Sequence, residues 1–346
     1  MRVALVHDYF IQDGGAERVL LALHEMFPEA PVFTLLADPG TFPPGFAPKR
    51  LITSPLQRLL PAKRLYPLVT PLMPLAVEAF DIAEYDVAII SSSSFAKGII
   101  APPSVKTLCY LHTPTRFLWE ERHGYARGRG WPGLARLPLQ AAFSRLRRWD
   151  YLAAQRPQRL VTNSRLSQAR IRRYYQRDAD ILSPPIDLAA IPFERIGPGS
   201  FWLAGGRLVA YKGFDRCIEA ANHLRAPLKI FGTGPQLRQL KRLAGPTVEF
   251  LGTVSEAEKF ALYRDARAFL HPAVEDFGVT LAEAQACGTP VIAHGAGGAL
   301  EIVEPGRTGV LLATPTSAAL VEALRRFRPE AFSPPDIRLA MERFDK

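Results

Sequence analysis

The chain has 346 residues, 48% of them apolar and 22% charged, which is enough for two ordinary domains with apolar interiors and too apolar for a disordered chain. Its three cysteines, Cys109, Cys217 and Cys287, lie far apart and form no Cys-x-x-Cys pair, which argues against a disulfide framework or a zinc cage and suits a reducing cytoplasm. The formal charge of +10 is lopsided: residues 1–185 carry 24 Lys and Arg against 15 Asp and Glu, whereas residues 186–346 carry 19 against 18.

Residues 2–6 read as a buried strand that ends on the polar pair His7-Asp8, and not as a signal peptide. An amphipathic helix is expected over 16–26. The most apolar run, residues 65–80, is broken by Pro67, Pro71 and Pro74, carries Glu78 and is too short to span a bilayer. Strands follow at 87–91, 106–111 and 159–162, with helices at 139–153 and 165–175. Between residues 116 and 177 stand 15 Arg and no Lys against three acids, Glu120, Glu121 and Asp150. Such a belt attracts phosphates, whether of nucleic acid, anionic lipid or a phosphorylated acceptor, although a solvated helix face accounts for it equally well.

Pro184-Pro185 cannot continue a helix or a central strand and marks a boundary. The expected parts are an N-terminal domain over 1–184, a C-terminal domain over 185–331 and a helical tail over 332–346. Further strands are expected at 201–204, 228–231, 248–251, 268–270 and 291–293. Strands alternating with helices from end to end predict an α/β chain of two doubly wound, Rossmann-like domains. Ligands of such folds lie outside the carboxyl ends of the strands, so two facing domains would share one cleft.

Residues 275–283 read Glu-Asp-Phe-Gly-Val-Thr-Leu-Ala-Glu, a loop that enters a helix ending near Gly288. Gly278 lets a ligand approach the backbone, and the first-turn amides with the helix dipole favour an anion. Glu275 and Glu283 would flank a bound phosphate and accept hydrogen bonds from sugar hydroxyls. Two acids eight apart are by themselves ordinary surface charges; their setting changes that. Gly205-Gly206-Arg207 ends one strand and leads to Lys212-Gly213, and both cations can reach a diphosphate and stabilise charge on a leaving nucleotide. Gly232-Thr233-Gly234-Pro235 and Gly252-Thr253-Val254 follow two more strands, and three loops at one sheet edge define a nucleotide pocket better than one. Asp178-Ala179-Asp180 has the Asp-x-Asp spacing of a metal site but falls between a helix and the linker, so it reads as helix-end polarity and no metal is expected. Gly14-Gly15-Ala16-Glu17 lacks the Gly-x-Gly-x-x-Gly spacing of a nicotinamide dehydrogenase.

Together these motifs resemble the retaining GT-B glycosyltransferases of the family-four type, which carry Glu-x7-Glu. The resemblance extends to Ala284-Gln285-Ala286-Cys287-Gly288-Thr289-Pro290, to residues 298–303 with Gly306-Arg307-Thr308-Gly309, and to the first half through His7-Asp8-Tyr9, Gly14-Gly15-Ala16-Glu17-Arg18, Ser93-Ser94-Phe95-Ala96-Lys97-Gly98, Tyr110-Leu111-His112-Thr113-Pro114 and Thr162-Asn163-Ser164-Arg165. These first-half segments are similar to a bacterial subgroup that often transfers mannose in surface-polysaccharide assembly. The resemblance implies that Glu275 contacts the donor hexose with the backbone of Asp276, Phe277, Gly278 and Val279. It implies that Glu283 holds the ribose, that Arg207 and Lys212 grip the diphosphate, and that Gly232, Gly234, Pro235 and Val254 line the nucleotide. Gly14 and Gly15 would close on the phosphates from the other domain. His112, which by its own setting reads as a structural histidine at a strand end, would face the sugar near the reacting carbon.

The implied reaction keeps the anomeric configuration by front-side attack, with the departing phosphate oxygen taking the acceptor's proton and no metal or cofactor beyond the nucleotide sugar. GDP-mannose is the first candidate donor, and a glycan or lipid-linked molecule the acceptor. Family chains continue past a segment like residues 340–344 into a helix that crosses back to the first domain, so a sequence stopping at Lys346 leads us to expect an abbreviated helix or a truncated chain. A nucleotide-sugar epimerase, a hydrolase or a phosphorylase on the same fold is the main rival. A non-enzymatic polyanion-binding protein is the second, with nucleic acid disfavoured because the belt carries no recognisable motif. The arginine belt and residues 65–80 suggest a cytoplasmic protein, peripheral on the anionic inner membrane face.

Overall fold

The computed structural model describes residues 1–11, 14–42, 45–59, 69–120, 136–194 and 197–346. Residues 65–68 of the apolar run and Arg122, Arg127 and Arg129 of the belt lie outside them. The chain divides into two compact units, Met1–Ser183 and Pro184–Lys346.

The first unit is built on seven parallel strands: β1 (Val3–His7), β2 (Val32–Thr34), β3 (Leu51–Thr53), β4 (Val87–Ser92), β5 (Lys106–Leu111), β6 (Arg159–Thr162) and β7 (Asp180–Ile181), in the order β3-β2-β1-β4-β5-β6-β7. Val3–His7 is buried along its whole length because helices cover both faces of the sheet, which is why a run without polar alternation forms a strand here. The order reverses between β1 and β4, which pair in register from Val3 opposite Val87 to His7 opposite Ser91. Helix α1 (Gly15–Met26) follows β1, α2 (Arg136–Ala153) precedes β6, and α3 (Arg165–Tyr175) follows it. The Ser164 side chain caps α3 by accepting from the Ser167 amide, and Gln176 ends it in the left-handed region at φ 53°.

The sequence reading did not anticipate β2, β3 or β7, which have three, three and two residues and are too short to show a period. Asp180 is consequently part of the edge strand, paired with Val161, and not helix-end polarity; Asp178 accepts a 2.7 Å hydrogen bond from Arg172 of α3.

The second unit has six parallel strands: β8 (Phe201–Gly205), β9 (Leu228–Phe231), β10 (Val248–Gly252), β11 (Ala266–His271), β12 (Val291–His294) and β13 (Gly309–Leu312), ordered β10-β9-β8-β11-β12-β13. Strand β13 was not expected from the sequence. The order again reverses at one place, between β8 and β11. Helices α4 (Phe214–Leu224), α5 (Leu237–Leu243), α6 (Glu256–Asp265), α7 (Val279–Ala286), α8 (Ser317–Arg326) and α9 (Pro334–Leu339) surround the sheet. A capping box between Ser255 and Glu258 starts α6. The tail beyond α8 packs into the second unit's own core, where Ile337 and Met341 are fully buried and Phe344 meets Phe277 edge-on at 5.4 Å. Among the described residues no helix is long and apolar enough to cross a membrane.

Candidate active site

In a doubly wound sheet the two strands flanking the reversal diverge at their carboxyl ends and leave a crevice. In the second unit these are β8 and β11. After β8 the chain turns through Gly206, at φ 123°, and a Cβ there would sit 3.3 Å from Lys212 Nζ. The bare α-carbon therefore lets the Lys212 amine fold back over the loop. The turn after β9 packs backbone against backbone on it: a Cβ on Gly232 would lie 2.0 Å from the Gly206 oxygen, and one on Gly234 2.4 Å from the Leu208 oxygen. The Leu208 amide donates to the Thr233 oxygen at 2.8 Å, and the Gly232 amide to the Gly252 oxygen at 2.6 Å. The three glycine loops of the sequence reading thus form one layer at one sheet edge.

Strand β11 ends in His271 and leads to Glu275. Lys212 Nζ is 3.2 Å from Glu275 Oε1, and His271 Nε2 is 3.5 Å from the same oxygen. Burial pushes the Glu275 carboxyl up, but Lys212 and then His271 outweigh it and hold it at about 2. The segment carrying Glu275 is fixed by its backbone, since the Glu275 oxygen accepts from the Gly298 amide at 2.9 Å and a Cβ on Gly298 would strike the Phe277 oxygen at 1.8 Å. Phe277 itself is 3% exposed and faces the core, so only its backbone is available to a ligand. Gly278, at φ 102°, caps α7 in the left-handed region, and Val279 opens the helix.

Glu283, one full turn and more along α7, is buried and has a cation of its own: Lys259 Nζ of α6 lies 3.0 Å from Glu283 Oε1 and 2.7 Å from Glu256. The two glutamates of the motif are therefore separately paired, one with Lys212 and His271, the other with Lys259. Arg207 is exposed beside the Gly206 turn, and Val254 is half-buried at the foot of α6. His271 and Lys259 were missed from the sequence, His271 because it reads as the last residue of an apolar strand and Lys259 because a lysine within a charged helix carries no sign of burial.

In the first unit the reversal lies between β1 and β4. Gly14 precedes α1 in extended conformation, Gly15 opens the helix, and Glu17 is buried in its first turn. Asp8, just past β1, accepts from the amides of Ser93 at 2.5 Å, Ser94 at 2.8 Å, Phe95 at 2.8 Å and Ala96 at 2.6 Å. Burial would raise its carboxyl, yet His7, these amides and Lys97 together hold it below the usual carboxylate range. His112 immediately follows β5, with Nε2 2.9 Å from Ser91 Oγ, and Ser91 Oγ is 3.2 Å from His7 Nδ1. Burial first, and His7 next, push the His112 imidazole down to about 3, so it is neutral at physiological pH.

Behind these loops Lys97 is fully buried, donating at 2.6 Å to Asp150 of α2 and at 3.1 Å to Thr115. Asp150 also accepts from Thr115 Oγ1, Trp119 Nε1 and Tyr175, each at 2.7 Å. Every polar end of this cluster is satisfied, and it ties the loops after β4 and β5 to α2 and α3.

Residues 198–330, in the second unit, match the model of the glycosyl transferases group 1. This segment is a group 1 glycosyl transferase domain. All the second-unit residues described above, from Arg207 to Glu283, fall inside the group 1 domain. The chain is 35% identical over 155 residues to a GDP-mannose-dependent α-(1-6)-phosphatidylinositol monomannoside mannosyltransferase of Mycolicibacterium smegmatis, covering 39% of this chain and 41% of that protein. It is 33% identical over 182 residues to a D-inositol 3-phosphate glycosyltransferase of Pseudarthrobacter chlorophenolicus, covering 44% and 43%. The chain thus spans about two fifths of the length of these curated relatives. Among solved structures it is similar to Anabaena HepE in complex with UDP and glucose, at TM-score 0.70, 20% identity and coverage of 100% and 96%. It is also similar to a sucrose-phosphate synthase of Thermosynechococcus elongatus, at TM-score 0.73, 18% identity and coverage of 100% and 95%. With its two parallel α/β sheets and its group 1 domain, the chain has the GT-B fold.

Proposed function

We propose that the protein transfers a hexose, mannose in the first instance, from a nucleotide diphosphate to a glycan or lipid-linked acceptor with retention of configuration. The observation that carries this reading is the Lys212–Glu275 pair, 3.2 Å apart at the carboxyl edge of β8 and β11 within the group 1 domain. A carboxylate held ionised at about 2 accepts hydrogen bonds from sugar hydroxyls at any physiological pH, while the amine beside it offsets charge growing on a departing phosphate. Arg207 would share the diphosphate, and Glu283, aligned by Lys259, would take the ribose. Gly14, Gly15 and His112 would act from the first unit. The departing phosphate oxygen takes the acceptor's proton, so the reaction uses no protein base, and Lys212 with Arg207 supplies the cationic role that a metal plays elsewhere.

GDP-mannose is favoured because relatives of this chain are named for it, and a phosphate-bearing acceptor is in keeping with the excess of cations in the first half. The acceptor would lie at a membrane: Leu72, just before the short helix Met73–Glu78, and Leu75 within it are exposed, and Arg145 and Arg148 are exposed on α2. The test is a panel of nucleotide sugars scored for thermal stabilisation and for sugar transfer. GDP-mannose should stabilise the protein and support transfer in the presence of chelator. Replacing Glu275 by Ala should lower turnover by roughly a hundredfold or more with the fold intact. Undiminished transfer by that variant would remove Glu275 from the site, and donor hydrolysis with no transfer to any acceptor would favour a hydrolase.

A further inference from the structure

The mouth of the first sheet holds a line of four buried groups, of which the transfer reaction, as read above, uses only His112. Glu17 Oε1 lies 4.0 Å from His7 Nε2, His7 Nδ1 lies 3.2 Å from Ser91 Oγ, and Ser91 Oγ lies 2.9 Å from His112 Nε2. Ser91 is fully buried, and His7 and Glu17 are each 2% exposed, so no bulk water competes for these atoms. The four come from different elements, α1, β1, β4 and the end of β5, and the β1–β4 register that sets His7 opposite Ser91 fixes the line.

A serine hydroxyl has one proton. Placed between two imidazole nitrogens it donates to one and accepts from the other, so the line has a direction, and the direction determines which nitrogen of His112 carries hydrogen. The Glu17 carboxylate opposite His7 Nε2 favours a proton on that nitrogen. In a neutral ring this leaves His7 Nδ1 as a bare lone pair that takes the Ser91 proton. Ser91 Oγ then accepts from His112 Nε2–H, and His112 Nδ1 is left as an acceptor with no hydrogen-bond partner among the described residues.

We propose that Glu17, His7 and Ser91 are positioning residues that lock His112 in its Nε2–H tautomer, so that its Nδ1 accepts a hydrogen bond from a hydroxyl of the bound sugar. The sugar contact rests on the reading of His112 given above, whereas the tautomer is a property of the free protein. A histidine that presented Nδ1–H instead would meet hydroxyls only as a donor. One that exchanged tautomers would be correctly aligned for part of the time.

The experiment is nitrogen-15 NMR of ring-labelled histidine in the free protein, read for His112 by comparison with His112→Gln. A single Nε2–H tautomer is expected in the wild type. Ser91→Ala should give mixed tautomers, and Ser91→Thr, which keeps the hydroxyl, should restore the single form; thermal melts monitor the fold in each. If the reaction proposed above is also correct, Ser91→Ala loses roughly threefold to tenfold in kcat and Ser91→Thr regains it. An Nδ1–H or mixed wild-type His112, or a tautomer unmoved by Ser91→Ala, overturns the proposal. An altered tautomer with kcat unchanged overturns the sugar contact alone, and absence of any transfer activity in the wild type, with the tautomer as expected, bears on the proposed reaction and leaves the line intact.

Discussion

At the scale of single residues, the ionisation of the buried side chains His112 and Glu275 is fixed by their surroundings. His112 is held neutral by burial, and its imidazole titrates at about 3 in the folded protein, against about 6.5 in an unfolded chain. The sign follows: below pH 6.5 the unfolded chain binds a proton that the folded state refuses. The contribution is therefore whole above about 6.5 and is lost as pH falls toward 3. Between pH 6.5 and pH 5 the wild type should lose roughly 1.5–2 kcal/mol more stability than His112→Gln, measured by urea unfolding at each pH. Equal losses in the two proteins would show that His112 takes its proton while folded. Lys212 and Glu275 were both legible as candidates, since glycine turns after apolar strands advertise a ligand edge. That Glu275 meets Lys212 and His271 while Glu283 meets Lys259 was not legible. His271 is only four residues before Glu275, but Lys212 and Lys259 lie far in sequence from the glutamates they meet, and no local pattern encodes which carboxylate packs beside which amine.

At the scale of elements, the first unit's loops are held by a buried charge cluster. Asp150 sits in α2 and accepts directly from Lys97, Thr115, Trp119 and Tyr175 at 2.6–2.7 Å. Removing the carboxylate strands a fully buried ammonium. Asp150→Ala should accordingly destabilise the protein by about 3–5 kcal/mol in urea unfolding, and Lys97→Met added to it should recover part of the loss. A loss within 1 kcal/mol would mean that Lys97 finds water on its own. Long elements such as α1, α3 and β1 were readable from their periodicity and caps. The three-residue strands β2 and β3 were not, because their strand character comes from pairing, β2 with β1 and β3 with β2, and not from their own residues. The Asp-x-Asp of residues 178–180 shows the same effect, for Asp180 is a strand residue only because β6 lies beside it.

At the scale of the whole molecule, the uneven charge and the exposed apolar residues of the first unit make membrane docking testable. The Met73–Glu78 helix is joined to α2 through Glu78, which accepts from Trp149 Nε1 at 2.8 Å and from Arg156 at 2.6 Å, so the exposed Leu75 and the exposed Arg145 and Arg148 stand on linked elements. Reversing Arg145, Arg147 and Arg148 to Glu should weaken binding to anionic vesicles at least tenfold, at about 1 kcal/mol per cation near a membrane surface. Unchanged binding, or binding insensitive to salt, would discard docking through this face. The amino-acid sequence by itself determined the alternation of strand and helix, the glycine turns, the acids of the Glu-x7-Glu motif and the place of the group 1 domain, because each is written in neighbouring residues through backbone freedom and hydrophobic period. Tertiary structure alone decided the strand order, the two reversal points, the ion-pair partners of each glutamate and the Glu17–His7–Ser91–His112 line, because each arises where segments tens of residues apart are brought within hydrogen-bond reach by a shared core.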